Sequence, residues 1–368
     1  MSNTNFLIMN FSTLCLLYVI MYFTQNLSSK RQFYGVSLNS DYFSKKEFKS
    51  LDKKYKTLLT IGFILFTIVM LIFIYMFKAY EVSSIVPPLG FTIYSFIVFI
   101  YIYNKVKSTK QELALNNKDI NLEKTKIIID TDFINSKNKI IKLHSILLFI
   151  PFLILILVCI YTISKYNTLP DVIPIHWGVN GKADAFSKKS IMNLASIILI
   201  SILTGFLIYI SSLATLKTRF KLDPNNIKES KNINLNCLNK FGITFFILNM
   251  SINMLFIYTL IATINSSDLN IYIMLFTTIL LILSTIYLIY IYYKLPNNSK
   301  GASYAVDDDD SNWILGSFYY NKNDPSLFVQ KKFGAGWTVN LGSRIGKIYI
   351  IIPFIIIIIS ILMAYSNK

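Results

Sequence analysis

"TLLTIGFILFTIVMLIFIYMF", residues 57–77, runs without a Lys, Arg, Asp or Glu. About 20 apolar residues in a helix cross a hydrocarbon core roughly 30 Å thick. Inside lipid, only a helix or a closed barrel satisfies every backbone N–H and C=O. Seven further runs have the same character: residues 5–24, 82–103, 143–163, 191–213, 241–264, 271–293 and 348–364. The expected fold is an all-α polytopic membrane protein with about eight transmembrane helices. Composition agrees, because 54% of residues are apolar and only 15% charged, where soluble domains carry about 25% charge.

The first run reads as a retained helix rather than a cleaved leader. No basic residue precedes it, no small-residue cleavage site follows it, and Lys30 and Arg31 come after it. The net charge of +17 is a matter of topology, not of nucleic-acid binding. Segments 25–56, 105–142, 216–240 and 294–347 hold 30 of the 36 Lys and Arg residues, and the alternate segments hold the other 6. Basic residues stay cytoplasmic, so the N- and C-termini are expected outside a bacterial plasma membrane, in contact with anionic lipid within. Cys15, Cys159 and Cys237 show no metal or disulfide spacing and read as small buried hydrophobes.

Five regions follow from this pattern: three N-terminal helices with basic loops over 1–142; a two-helix unit with an outer loop over 143–213; helices six and seven over 214–293; a cytoplasmic β module over 294–347; and a last helix over 348–368. In the first loop, Ser44 and Glu47 have capping-box spacing, and Phe48, Leu51 and Tyr55 share a helical face. That face is expected on the inner leaflet. The "KIIID" patch at 126–130 carries no evident chemistry, and the outer connections 78–81 and 265–270 are short enough to be simple turns.

The one long outer loop contains "LPDVIPIHWGVNGKAD", residues 169–184. Pro170 and Pro174 hold the preceding residues extended. Ile173, Ile175 and Trp177 alternate with Pro174 and His176, and the Asn180 and Gly181 pair tolerates the positive φ of a hairpin turn. A β-hairpin over 169–187 is expected, with Trp177 and Phe186 suited to the head-group layer and Ser187 or Ser190 capping the next helix. Asp171, His176 and Asp184 are its polar candidates. They offer too few ligands for a metal site and no nucleophile paired with a base, so His176 and Asp184 are read as bonding each other or meeting a ligand.

In 307–342, the stretches 313–320, 327–331 and 337–340 are rich in aromatic and β-branched residues. Asp324 and Pro325 form a turn signal, and Gly334 and Gly336 supply positive φ. A three-stranded antiparallel meander is expected, resting on the membrane or on another loop. The acidic run 307–310 lacks the spacing of a calcium loop and reads as a solvated linker.

The pattern Leu-Pro-x-x-Ile-Pro-x-His-Trp-x-x-x-Gly-x-x-Asp, carried here by Pro170, Ile173, Pro174, His176, Trp177, Gly181 and Asp184, resembles the signature of a bacterial membrane domain of unknown function. That domain occurs in SdpI-type immunity proteins, which protect producing cells from a secreted killing peptide. A second stretch is similar to an uncharacterised C-terminal module of relatives: Trp313, Gly316, "FYYN" ending at Asn321, Asp324, Pro325, "FV", then Gly334, Gly336, Trp337 and Asn340. Residues 31–38, "RQFYGVSL", resemble the first loop of such relatives. The Gly-x-Arg-Thr-Pro-x-Thr element of the immunity branch has no counterpart; "LGSRIG" at 341–346 differs from it.

No formal charge lies inside any of the eight runs. Ion-coupled transport and intramembrane catalysis both call for such groups, and no cofactor or metal is expected. Asn249 and Asn253, four residues apart, are the notable intramembrane polar pair, read as interhelical glue. The function expected is non-enzymatic: a receptor, signalling or immunity-type protein that meets a secreted peptide or envelope component outside and a regulator in the cytoplasm. The alternative is a facilitator, or a transport-system subunit, for a neutral or lipid-like solute.

Overall fold

The computed structural model describes residues 3–29, 31–38, 40–116, 130–178, 180–218, 220, 222–223, 226–295 and 310–366. Residues 126–129 of the "KIIID" patch and 307–309 of the acidic run lie outside the described residues. Eight long helices carry the fold: α1 (Asn3–Leu27), α2 (Lys46–Tyr75), α3 (Tyr80–Asn116), α4 (Thr131–Ser164), α5 (Ile191–Leu216), α6 (Ile227–Asn265), α7 (Ile271–Lys294) and α8 (Arg344–Ser366). Among the described residues, seven (α1–α7) are long and apolar enough to cross a membrane, and the eighth apolar run is helical in α8. The chain is a multi-pass membrane protein. Among the described residues, four two-stranded sheets sit between helices: β1 (Gln32–Phe33) with β2 (Val36–Ser37), β3 (Val172–Trp177) with β4 (Ala183–Lys188), β5 (Trp313–Ile314) with β6 (Phe318–Tyr319), and β7 (Phe328–Gln330) with β8 (Trp337–Val339).

The chain divides into two compact units. One comprises Met1–Ile127 with Ser303–Tyr320 and Gln330–Thr338; the other comprises Ile128–Ala302 with Asn321–Val329 and Val339–Lys368. The three-stranded meander expected over 313–340 therefore does not form. Its strands are two or three residues long and pair only two at a time, too short a ladder to stand without support.

In the first unit, that support comes from the loop between α1 and α2. Phe33, Tyr34, Phe48, Tyr55, Phe99 and Tyr103 form a buried aromatic core. Phe333 stacks on it, with its ring centroid 4.3 Å from Phe99 and 5.6 Å from Tyr34. The backbones touch at Gly35 and Gly316, both at positive φ; a Cβ on Gly35 would lie 2.8 Å from the Gly316 carbonyl oxygen. Two expectations change here. Phe48 and Tyr55 are buried in this protein core, not laid on a lipid leaflet. The capping box is absent too, because Ser44 bonds the Asp41 carbonyl in a 3-10 turn and the N-cap of α2 falls one residue later, on Lys45, whose side chain makes no cap bond.

A buried charge cluster closes the same unit. The Lys332 ammonium, in a residue 4% exposed, donates to Asp310 and to Ser37 Oγ at 3.1 Å. Asp310 also accepts from the Ser37 amide at 3.2 Å and from Lys110 Nζ at 3.1 Å. Burial pushes the Asp310 carboxyl up, but Lys332 and then Lys110 outweigh it and hold the group down at about 2. A carboxylate whose pKa is lower folded than unfolded stabilises fully above its unfolded pKa of about 3.9. That stabilisation fades as pH falls from about 4 towards 2.

In the second unit, Phe152, Leu155, Cys159, Ile173, Leu194 and Leu260 form the core of α4, α5, α6 and β3. His144 is buried against α6 at Gly242, with Nε2 2.8 Å from Asn239 Oδ1. Acidification from pH 5 to 2.5 should red-shift the emission of a variant that keeps Trp313 as its sole tryptophan. Asp310→Asn should show the shifted emission already at pH 7 and lose the acid step. An acid step that survives in Asp310→Asn would assign it to another group.

Candidate functional site

The hairpin of β3 and β4 is built as its residues direct, with one departure. Val172 pairs with Lys188, Ile173 with Ser187 and Pro174 with Phe186; a bulge at Ile175 then shifts the register so that His176 meets Ala185, and a second irregularity at Asp184 shifts it back so that Trp177 meets Ala183. The bulge breaks the simple alternation. Ile173 and Pro174, ahead of it, are both buried, and His176, beyond it, is exposed. The reversal is longer than a two-residue turn: the Gly178 amide donates to the Lys182 carbonyl at 2.9 Å, and the Gly181 amide to the Gly178 carbonyl at 2.9 Å. Gly181 takes positive φ, at 78°, and Asn180 Oδ1 accepts the Lys182 amide at 3.1 Å.

The turn between α6 and α7, read from sequence as a mere connector, is the seat of this hairpin. Trp177 Nε1 donates to the Ser267 carbonyl at 3.1 Å, the Ala183 amide to Asp268 Oδ1 at 3.0 Å, and the Leu269 amide to the Gly181 carbonyl at 2.8 Å. Asp268 is the residue that sequence reasoning missed; a lone Asp in a six-residue turn gives no periodic signal. Gly181 is required for contact, because a Cβ there would lie 2.2 Å from the Leu269 carbonyl oxygen. At the hairpin's base the Lys189 amide bonds the Asp171 carbonyl at 2.7 Å, and Ser190 caps α5 by accepting the Asn193 amide at 3.1 Å.

On this fixed frame His176 Nδ1 lies 2.5 Å from Asp184 Oδ1, with the two side chains 68% and 54% exposed. A carboxylate only accepts, so the imidazole proton sits on Nδ1 and Nε2 is the ring nitrogen offered to a partner. Ser187 is no nucleophile for it: the residue is 4% exposed and its hydroxyl is bonded to Asn193 and to the Lys188 carbonyl. The arrangement is a presented hydrogen-bonding pair beside an anchored indole, with Asp171 and Phe186 exposed nearby in sequence.

The remaining candidates fall elsewhere. Asn249 donates to Ser212 Oγ and to the Phe245 carbonyl, each at 2.8 Å, and Asn253 donates to the Asn249 carbonyl at 2.8 Å. Both are buried, and the side-chain carbonyl oxygen of each has no hydrogen-bond partner. Asn249 ties α6 to α5 through Ser212, whereas the Asn253 bond stays within α6, so of the pair read as interhelical glue only Asn249 bonds across helices here. Of the C-terminal residues, Trp313, Gly316, Gly336 and Trp337 belong to the first compact unit, and Asn321, Asp324, Pro325 and Asn340 to the second. Trp313 is buried edge-on to Tyr319 with centroids 5.2 Å apart. The Asp324 carboxylate accepts the Ser326 amide at 2.9 Å, closing the turn at Pro325. Asn340 is fully buried and bonds the backbone of Asn321, Asp324, Ser326 and Gly342.

Gly181→Ala should unseat the hairpin, since it adds left-handed strain and a backbone clash. Hydrogen exchange should rise at both 172–188 and 266–270; unchanged exchange at 266–270 would contradict the docking described. Comparison with known proteins finds two family models along this chain. Residues 153–202, spanning the last third of α4, the hairpin and the first half of α5, match a domain of unknown function, DUF1648. Residues 322–347, which include Asn340, match a family of unknown function, DUF5808. No curated protein and no solved structure matches the chain.

Proposed function

We propose that the protein is a non-enzymatic receptor, signalling or immunity-type protein of the bacterial plasma membrane that recognises a secreted peptide or envelope component through the β3–β4 hairpin. The observation that carries this reading is the His176 and Asp184 pair, exposed to solvent on a hairpin whose backbone is tied down by the α6–α7 turn. A surface ordered before its partner arrives loses less conformational entropy on binding. Trp177 supplies the large apolar contact that recognition surfaces favour. Asp171, Pro174, Asn180 and Gly181 complete or shape the same surface.

The orientation proposed puts both termini and this hairpin outside, and the segments built from 31–38 and 303–338 in the cytoplasm, facing a possible regulator. Two observations support it. The 30 to 6 division of basic residues follows loop parity. Loops of equal parity also meet in space: the hairpin meets the 266–270 turn, and Ser37 meets Asp310 and Lys332.

A cysteine at Lys182, exposed in the turn, should react with a membrane-impermeant maleimide in intact cells, and one at Lys322 only after lysis. The reverse pattern would invert the topology. Deleting the gene should sensitise cells to a secreted peptide, and His176→Ala with Asp184→Ala should reproduce that sensitivity at normal protein levels. Full resistance in the double variant would return the pair to a scaffolding role.

A further inference from the structure

Between α6 and α7 runs a groove of 260 Å³ whose walls are Ile243, Ile247, Leu280 and Leu283. Its two hydroxyls, Thr244 and Ser284, are spent on their own helices, donating to the Lys240 carbonyl at 2.7 Å and the Leu281 carbonyl at 2.9 Å. The floor is therefore apolar along its length, and Leu283 is 57% exposed at its rim. One end differs. Lys240 and Tyr287 line it, and Tyr287 stacks on Tyr290 with centroids 5.9 Å apart. The Lys294 ammonium lies 4.9 Å above the Tyr290 ring. Tyr287, Tyr290 and Lys294 follow one another three and four residues apart on one face of α7, so the Lys294 ammonium lies beyond Tyr287, at the end of the groove that Lys240 also lines. In α6 the one acidic residue is Glu229, about three turns from Lys240, and α7 has none.

An apolar channel open to lipid, headed by two cations and two phenols, matches an amphiphile with an anionic head. Basic pockets between transmembrane helices bind such heads, and lysine and tyrosine settle at the depth of phosphate. We propose that this groove holds an acyl chain of an anionic phospholipid, with the lipid phosphate between Lys240 and Lys294. The site is separate from the hairpin and independent of the recognition role proposed for it. It makes the packing of α6 on α7 sensitive to the charge of the surrounding lipid.

The test is native mass spectrometry of the full-length protein in detergent, with phosphatidylglycerol and phosphatidylcholine of identical chains. The wild type should retain phosphatidylglycerol preferentially. Lys240→Gln with Lys294→Gln should lower that retention roughly tenfold, to the phosphatidylcholine level. Leu283→Trp, which keeps both lysines but fills the groove, should lower it as well. Lys105→Gln with Lys142→Gln, at exposed positions elsewhere, should leave the preference intact. Equal retention by the wild type and the Lys240, Lys294 variant would overturn the proposal. So would undiminished retention by Leu283→Trp, or displacement of the lipid by an equal concentration of glycerol phosphate, which would mean an anion site without a tail.

Discussion

The side chain of Asn340 holds together a segment that has almost no secondary structure of its own. Its amide nitrogen donates to the carbonyls of Asn321, Asp324 and Ser326, and its oxygen accepts the amides of Asn321 and Gly342. These backbone groups have no strand ladder to enter, and burial away from water without partners would cost about 1–3 kcal/mol for each. Asparagine fits because it is uncharged and presents a donor and an acceptor edge together. Asp310 serves the first compact unit in the same way, gathering Ser37, Lys110 and Lys332 around one carboxylate. A buried ion pair adds little net stability, but breaking one leaves an uncompensated charge, so such a pair specifies which segments meet.

The same economy explains the hairpin. A two-stranded ribbon is marginal alone in water. This one gains its fixity from a single carboxylate, Asp268, an indole N–H and one backbone bond to Leu269. What is left unengaged is the His176 and Asp184 face. The scaffold thus spends its polar contacts on position and presents the polar pair of its signature outward, an arrangement suited to recognition.

Much of the helical frame was legible in the amino-acid sequence, because lipid allows few alternatives to an apolar helix. The hairpin was legible from its prolines and glycine, and Gly181 does sit at positive φ. The limits were physical. Periodicity reports a buried face but not what buries it, so Phe48 and Tyr55 read as lipid-facing when they pack beneath Tyr34 and Phe99. Turn chemistry marked Asp324, Pro325, Gly334 and Gly336 correctly. Strand patterning did not reveal that these segments divide between two compact units, since that division rests on contacts far apart in sequence, such as Lys332 with Ser37. Asp268 acts through one hydrogen bond and Asp310 through partners scattered along the chain, which leave no pattern to read.

If polar side chains rather than strand ladders hold these loops, the replacement Asn340→Asp is the sharpest probe, because it keeps shape and acceptors while removing both donors. Hydrogen–deuterium exchange on the intact protein should show residues 321–328 and 340–343 losing protection together, with α4, α5 and α6 unchanged. Wild-type protection of 321–328 in that variant would contradict the account.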